Sequence, residues 1–154
     1  MTQPSNVRIA TPEDEPEILR MVVMMLEENG LAPSLSEVDE ETVLKQIRKA
    51  LNRDLAVMGV IGEPGNLEAM IYLDVNSFWY SRKPHLMELF NFVDPEHRKS
   101  THAKALIGFA KQCVTDGIKL VIGVVSNSRT EAKVRLYERQ LGKPAGAFFV
   151  YPAL

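Results

Sequence analysis

Residues 93–104 read VDPEHRKSTHAK and place Arg98, Lys99, His102 and Lys104 where the flanking pattern predicts the start of a helix. The first turn of a helix carries unpaired N–H groups and the positive end of the peptide dipole, so it favours Asp and Glu and disfavours Lys and Arg. Here the preference is reversed, and no acidic residue stands between positions 96 and 116. An anion seated on the free N–H groups, held by backbone and side chains together, relieves that conflict. A phosphate-containing ligand is therefore expected at this turn. The plainer alternative is a solvated helix start on which the cations merely cluster.

The elements on either side follow from periodicity and turn residues. Residues 86–93 form a strand ended by Asp94-Pro95. Over residues 100–115, Ala103, Leu106, Ile107, Ala110, Cys113 and Val114 recur at helical spacing, and Asp116-Gly117 ends the helix. Residues 120–125 are almost wholly apolar and β-branched, the pattern of a strand covered on both faces. After residues 126–129 a helix runs to about Leu141, and residues 147–151 make a last strand.

Upstream, the strand-like runs 55–61 and 67–75 are separated by Gly62-Glu63-Pro64-Gly65, which marks a hairpin turn. Residues 7–10 can form an edge strand. Thr11-Pro12 then precedes a helix beginning near Asp14, whose Ile18, Leu19, Val22, Val23, Met25 and Leu26 form one buried face and which Asn29-Gly30 stops. A second helix turns Val43, Leu44, Ile47 and Leu51 inward. The order is β-α-α-β-β-β-α-β-α-β, an α/β (α+β) chain. Phe78, Trp79 and Tyr80 form an aromatic loop that can line a pocket, make a homodimer contact or cap the core.

At 154 residues and 45% hydrophobic composition, residues 1–154 are expected to form a single domain with its own core. The net charge of −2 makes the basic turn a local feature, which argues against a nucleic-acid partner. Acid is localised too: from Thr11 to Glu41 ten Asp or Glu residues face only Arg20, so negative potential is expected there. The single cysteine, Cys113, excludes an internal disulfide and a multi-thiolate metal site, and its spacing with Leu106 and Ala110 makes it a small core residue. Met21, Met24 and Met25 read as core filler. His85, His97 and His102 show no metal-ligand spacing, so no metal is expected; they are read as surface residues, with a phosphate contact for His102. Without a basic-then-apolar leader or a run of 18 apolar residues, a cytoplasmic protein with no membrane partner is expected.

This order, with the residues at its centre, resembles the GNAT superfamily of acetyl-CoA-dependent N-acetyltransferases. The resemblance covers nearly the whole chain in layout, and its specific motifs lie at residues 91–104 and 126–142. It implies a mixed, mostly antiparallel central sheet flanked by about four helices. In the family a strand ending in Val-x-Pro is followed by Arg-Gly-x-Gly-x-Gly/Ala. Val93-Asp94-Pro95 fits, Arg98 and Ala103 fall in register, and Lys99 and Thr101 replace the two earlier glycines. Glycine lets backbone approach a diphosphate closely; Thr101 can offer a hydroxyl instead, and Lys99 a charge.

The resemblance implies that Arg98, Lys99, Ser100, Thr101, His102, Ala103 and Lys104 cradle the pyrophosphate of acetyl-CoA. It further implies that the main chain of Asn91, Phe92 and Val93 runs beside the pantetheine arm on a splayed strand. A backbone donor at Phe92 or Val93 can then polarise the acetyl carbonyl. Asn127 and Tyr137, followed by Leu141-Gly142, match a second family motif in kind, with a wider spacing than usual. By this likeness Asn127 is a coenzyme contact and Tyr137 the acid that protonates the departing thiolate. Glu88, inside the strand near the thioester, is the best-placed carboxylate to deprotonate an incoming ammonium; the bland alternatives are a solvated Glu and a packed Tyr.

The expected activity is acetyl transfer from acetyl-CoA to a small-molecule or peptide primary amine by direct attack. The absence of a Cys-His nucleophile pair agrees with direct attack. The rival expectations are a GNAT-fold module that binds CoA without turnover, and nucleic-acid binding through the basic helix.

Overall fold

The computed structural model describes residues 6–29, 35–115, 117–124, 130–147 and 149–152. The elements are β1 (Arg8–Ile9), a 3-10 turn (Pro12–Asp14), α1 (Glu15–Glu28), α2 (Glu40–Leu51), β2 (Ala56–Glu63), β3 (Asn66–Ser77) and β4 (Pro84–Val93). A 3-10 turn (Pro95–His97), α3 (His102–Cys113), β5 (Leu120–Ile122) and α4 (Thr130–Leu141) follow. The strands form one sheet in sequence order; all neighbours are antiparallel except β4 and β5, which are parallel.

Local chemistry starts the elements. Asp14, fully buried, accepts from the Thr11 N–H at 2.8 Å and from the Arg8 guanidinium in a two-pronged pair, both contacts at 2.8 Å. That arrangement ties β1 to the head of α1. Asp39 caps α2 by accepting from the Glu41 N–H at 3.1 Å and the Thr42 hydroxyl at 2.6 Å.

The core has two halves, one on each side of the sheet. Ile18, Met21 and Val22 of α1 and Ile47 and Leu51 of α2 pack against Met58, Val60, Met70, Tyr72 and Phe92. On the other side Leu106, Phe109 and Ala110 of α3 pack on Ile61, Ala69, Ile71 and Leu73. Met24 and Met25 rest against the first half and Cys113 against the second, as expected. Val23 falls off the buried face of α1 and is exposed. Close approach of α3 to the sheet depends on Gly59, where an added Cβ would stand 2.7 Å from the Phe109 ring.

Two expectations are corrected. The described residues after α4 contain no strand, and Phe149 and Tyr151 are almost fully exposed, so these two aromatics of the expected strand 147–151 fill no sheet face; Phe148 lies outside the described residues. Strand β5 is shorter than expected and half-buried rather than covered on both faces, because one side of it borders a cavity that Val121, Gly123 and Val124 help to line.

One irregularity positions the site. In the β3–β4 ladder Tyr72 pairs with Phe90 and Leu73 with Glu88, so Leu89 has no partner and forms a bulge. A bulge bends its strand and re-aims the side chains that follow.

Candidate active site

The β4–β5 ladder ends at the pair Glu88–Ile122, while β4 continues to Val93. Beyond that pair β4 stays bonded to β3 on one side but has no strand on its other side among the described residues, where alternate N–H and C=O groups face an open gap. A cavity of about 970 Å³ occupies the gap. Its floor is β4 from Met87 to Val93, and one wall is Met25, Leu26 and Glu28 of α1. Arg98, Ser100 and Ala103 line the end at the head of α3, and Lys133, Leu136 and Tyr137 of α4 close the other side.

Side chains alternate between sheet faces, so residues three apart normally point oppositely. The bulge at Leu89 cancels that rule. Glu88 pairs with Leu73 and Asn91 with Ile71, and both partners belong to the core half under α3, so Glu88 and Asn91 share one face. Asn91 Nδ2 donates to Glu88 Oε1 at 3.0 Å and to the Tyr137 hydroxyl oxygen at 2.5 Å. The amide nitrogen end is the one that fits, since an ionised Glu88 can only accept.

Glu88 is buried, and loss of water pushes its carboxyl up to about 7, against the pull of the Asn91 hydrogen bond and the Lys133 charge. A carboxyl titrating there can hold or release a proton at neutral pH. Burial first, and the Glu88 charge second, push the Tyr137 hydroxyl up to about 12 despite the Asn91 bond. Tyr137 therefore keeps its proton at neutral pH. Because Asn91 donates to the hydroxyl oxygen, that proton remains available to another acceptor.

At the far end of the gap, Thr101 makes no side-chain cap on α3, and the first intrahelical bond runs from the Ala105 N–H to the Thr101 carbonyl at 2.9 Å. The amides of Ala103 and Lys104 thus lack acceptors within the helix, and Ala103 lies on the cavity wall. Of the four side chains expected to hold an anion at this turn, Arg98 and His102 are engaged by carboxylates. Arg98 binds Glu28 of α1 at 2.6 and 2.7 Å, donates to the Val93 carbonyl at 3.2 Å and lies over the Phe92 ring. His102 turns its Nε2 to Glu68 Oε2 at 3.1 Å instead of toward the gap, and Lys99, Thr101 and Lys104 are exposed off its wall.

The structure thus brings Glu88, Tyr137, Asn91, Phe92, Val93, Arg98, Ser100 and Ala103 to one cavity. Asn127 lies outside the described residues. The sequence marked Asn91 only for its main chain; its side-chain role depends on the bulge. Glu28 gave no signal, since its partner is seventy positions away. His85, expected at the surface, is buried and stacked on Phe78 at 4.1 Å, so the aromatic loop caps the core at Phe78, and Trp79 and Tyr80 are exposed.

No family model matches the sequence, and no curated protein does. Solved structures match it over nearly its full length. A possible acetyltransferase from Clostridium difficile 630 is 16% identical, with 96% of this chain and 97% of that one covered at a TM-score of 0.71. The aminoglycoside N-acetyltransferase AAC(6')-Iy, solved in complex with CoA, is 13% identical, with 94% and 91% covered at 0.71. A predicted acetyltransferase from Clostridium acetobutylicum, solved with acetyl-CoA, is 14% identical, with 94% and 93% covered at 0.69. At such identity the likeness is one of fold, and the chain has the fold of the GNAT acetyltransferases. No helix among the described residues is long and apolar enough to cross a membrane.

Proposed function

We propose that the protein is an N-acetyltransferase that moves the acetyl group of acetyl-CoA to a primary amine by direct attack. The observation that carries this is the two-ended gap beside β4, with the Glu88–Asn91–Tyr137 cluster at one end and the free amides of α3 at the other. The amides of Ala103 and Lys104 would hold the coenzyme diphosphate. The main chain of Asn91, Phe92 and Val93 would line the pantetheine arm, as a free strand edge does for an extended ligand.

Glu88, directly or through a water, takes the proton from the incoming ammonium, and the freed nitrogen attacks the acetyl carbon. A β4 amide at Phe92 or Val93 stabilises the oxyanion of the tetrahedral intermediate. The C–S bond then breaks with its electron pair on sulfur, the Tyr137 hydroxyl donates to that thiolate, and the nitrogen gives up its second proton through water to the tyrosinate, which leaves a neutral amide. Likeness to CoA-bound acetyltransferases of the same fold supports this use of the gap. A small-molecule or peptide amine that is cationic suits the acid-rich α1 and α2. Pairing of Asp14 with Arg8, Glu15 with Arg48, Glu17 with Arg20 and Glu28 with Arg98 tempers the potential expected from composition.

The rival reading, a CoA-binding module without turnover, is favoured by the engagement of Arg98 with Glu28 and by Lys99 and Thr101 at the family's glycine positions. Thiol release from acetyl-CoA over a panel of amines separates the two. Turnover that collapses in Glu88→Gln and Tyr137→Phe supports the enzyme. Coenzyme binding with no amine accepted favours the module. If anionic or neutral amines are preferred, the cationic acceptor is wrong.

A further inference from the structure

Off the lining of the active-site cavity, Glu68 of β3, His97 of the second 3-10 turn and His102 at the start of α3 converge. His97 Nδ1 stands 3.3 Å from Glu68 Oε1, and His102 Nε2 stands 3.1 Å from Glu68 Oε2. One ligating atom from each of the three lies within 4.8 Å of the other two. Ligands held about 2.0–2.2 Å from a tetrahedral zinc ion are about 3.3–3.6 Å apart, so each imidazole already stands near that spacing from one oxygen of the carboxylate, His97 from Oε1 and His102 from Oε2.

We propose that Glu68, His97 and His102 form a binding site for one divalent transition-metal ion of the zinc class. Two imidazoles and a carboxylate are a common donor set for such ions, and water completes the shell. The His102 side chain is only 13% exposed, and its Nδ1 is buried with no partner, so Nε2, which faces the cluster, is the nitrogen it can offer. The backbone around the donors is fixed. The His97 N–H donates to the Asp94 carbonyl at 2.8 Å, the Asp94 N–H to the Glu68 carbonyl at 2.8 Å, and the Ser100 hydroxyl to the His97 carbonyl. His97 also borders a second, open cleft with Arg20, Asn66, Asp94 and Glu96, which gives an ion and its waters a way in. The nearby Arg20 is already engaged by Glu17 at 2.7 Å and Asp94 at 3.7 Å.

The geometric consequence is a clamp. An ion at this point joins β3 to both ends of residues 97–102, the turn that sets the head of α3. Histidine spacing in the sequence could not reveal it, because the third donor comes from a strand 29 residues before His97. The site stands independently of the coenzyme reading.

The test uses tag-free, chelator-treated protein titrated with Zn²⁺ and, separately, Co²⁺. Uptake of one ion per chain, with the intense visible bands of low-coordinate cobalt, is expected. Glu68→Gln, His97→Gln and His102→Gln should each weaken binding about tenfold or more. X-ray absorption of the zinc-loaded native protein, which needs no variant, should show two imidazole shells at about 2.0–2.1 Å. No uptake by the native protein, affinity unchanged in the variants, or a shell without imidazole overturns the proposal.

Discussion

The Asn91 side-chain nitrogen stands 2.5 Å from the Tyr137 hydroxyl oxygen, joining the middle of β4 to α4 across the open side of the sheet. The same nitrogen donates to Glu88, so one amide positions both groups to which acid and base roles are given. Its bond lowers the Glu88 carboxyl against the burial that raises it. Asn91→Leu should therefore move the acid limb of the kcat/KM profile above its wild-type position near pH 7 and lower kcat about tenfold. An unmoved limb would show that Asn91 does not tune Glu88.

Glu88→Gln should reduce turnover at neutral pH by about 10²- to 10⁴-fold and abolish that limb. It also has a stability signature. A carboxyl raised to about 7 by burial contributes stability that is fully present below its ordinary value and is lost as pH rises through about 7. Melting temperatures measured between about pH 5 and about pH 8 should thus show the variant gaining on the wild type as pH rises. A constant difference across that range would mean that Glu88 titrates as an ordinary surface carboxylate.

The Arg8–Asp14 pair anchors β1 to α1. Removing one partner leaves a buried charge unmatched, so Arg8→Met should cost about 3 kcal/mol, at the low end for such pairs because Arg8 is a third exposed. Burial raises the Asp14 carboxyl, but bonds from Arg8 and Thr11 outweigh it and hold it below the usual range. The stability from this pair is therefore present at neutral pH and lost on acidification below the ordinary Asp value. Urea unfolding of both proteins at neutral and acid pH checks it: the gap should shrink in acid.

Gly59→Ala should destabilise by about 1–3 kcal/mol, since the new methyl would meet the Phe109 ring at 2.7 Å and Val7 at 2.8 Å. Chemical denaturation measures it directly. An unchanged midpoint would mean that α3 can lift off the sheet at little cost.

The order of elements through α4 was legible because helical and strand periods differ and Pro, Gly and Asn punctuate them. The site was legible only in part. Glu88 and Tyr137 were visible as residues, but their union through Asn91 depends on the unpaired Leu89, and a bulge leaves no trace in apolar alternation. The cations at the head of α3 were read from their local spacing, whereas Glu28 and Glu68, which engage Arg98 and His102, come from distant elements. The apolar run read as a strand at 147–151 misled over its described residues, because composition alone does not supply a neighbouring strand.

Calorimetric titration of CoA into the native protein and into Ala103→Glu tests the coenzyme gap most directly. An acid at this position suits a helix start and should leave the fold intact, while setting a negative charge on the cavity wall where the diphosphate is placed. One CoA bound per chain, weakened about tenfold or more by the substitution, is the expected result. No heat of binding with the native protein, or equal affinity in both, would contradict it.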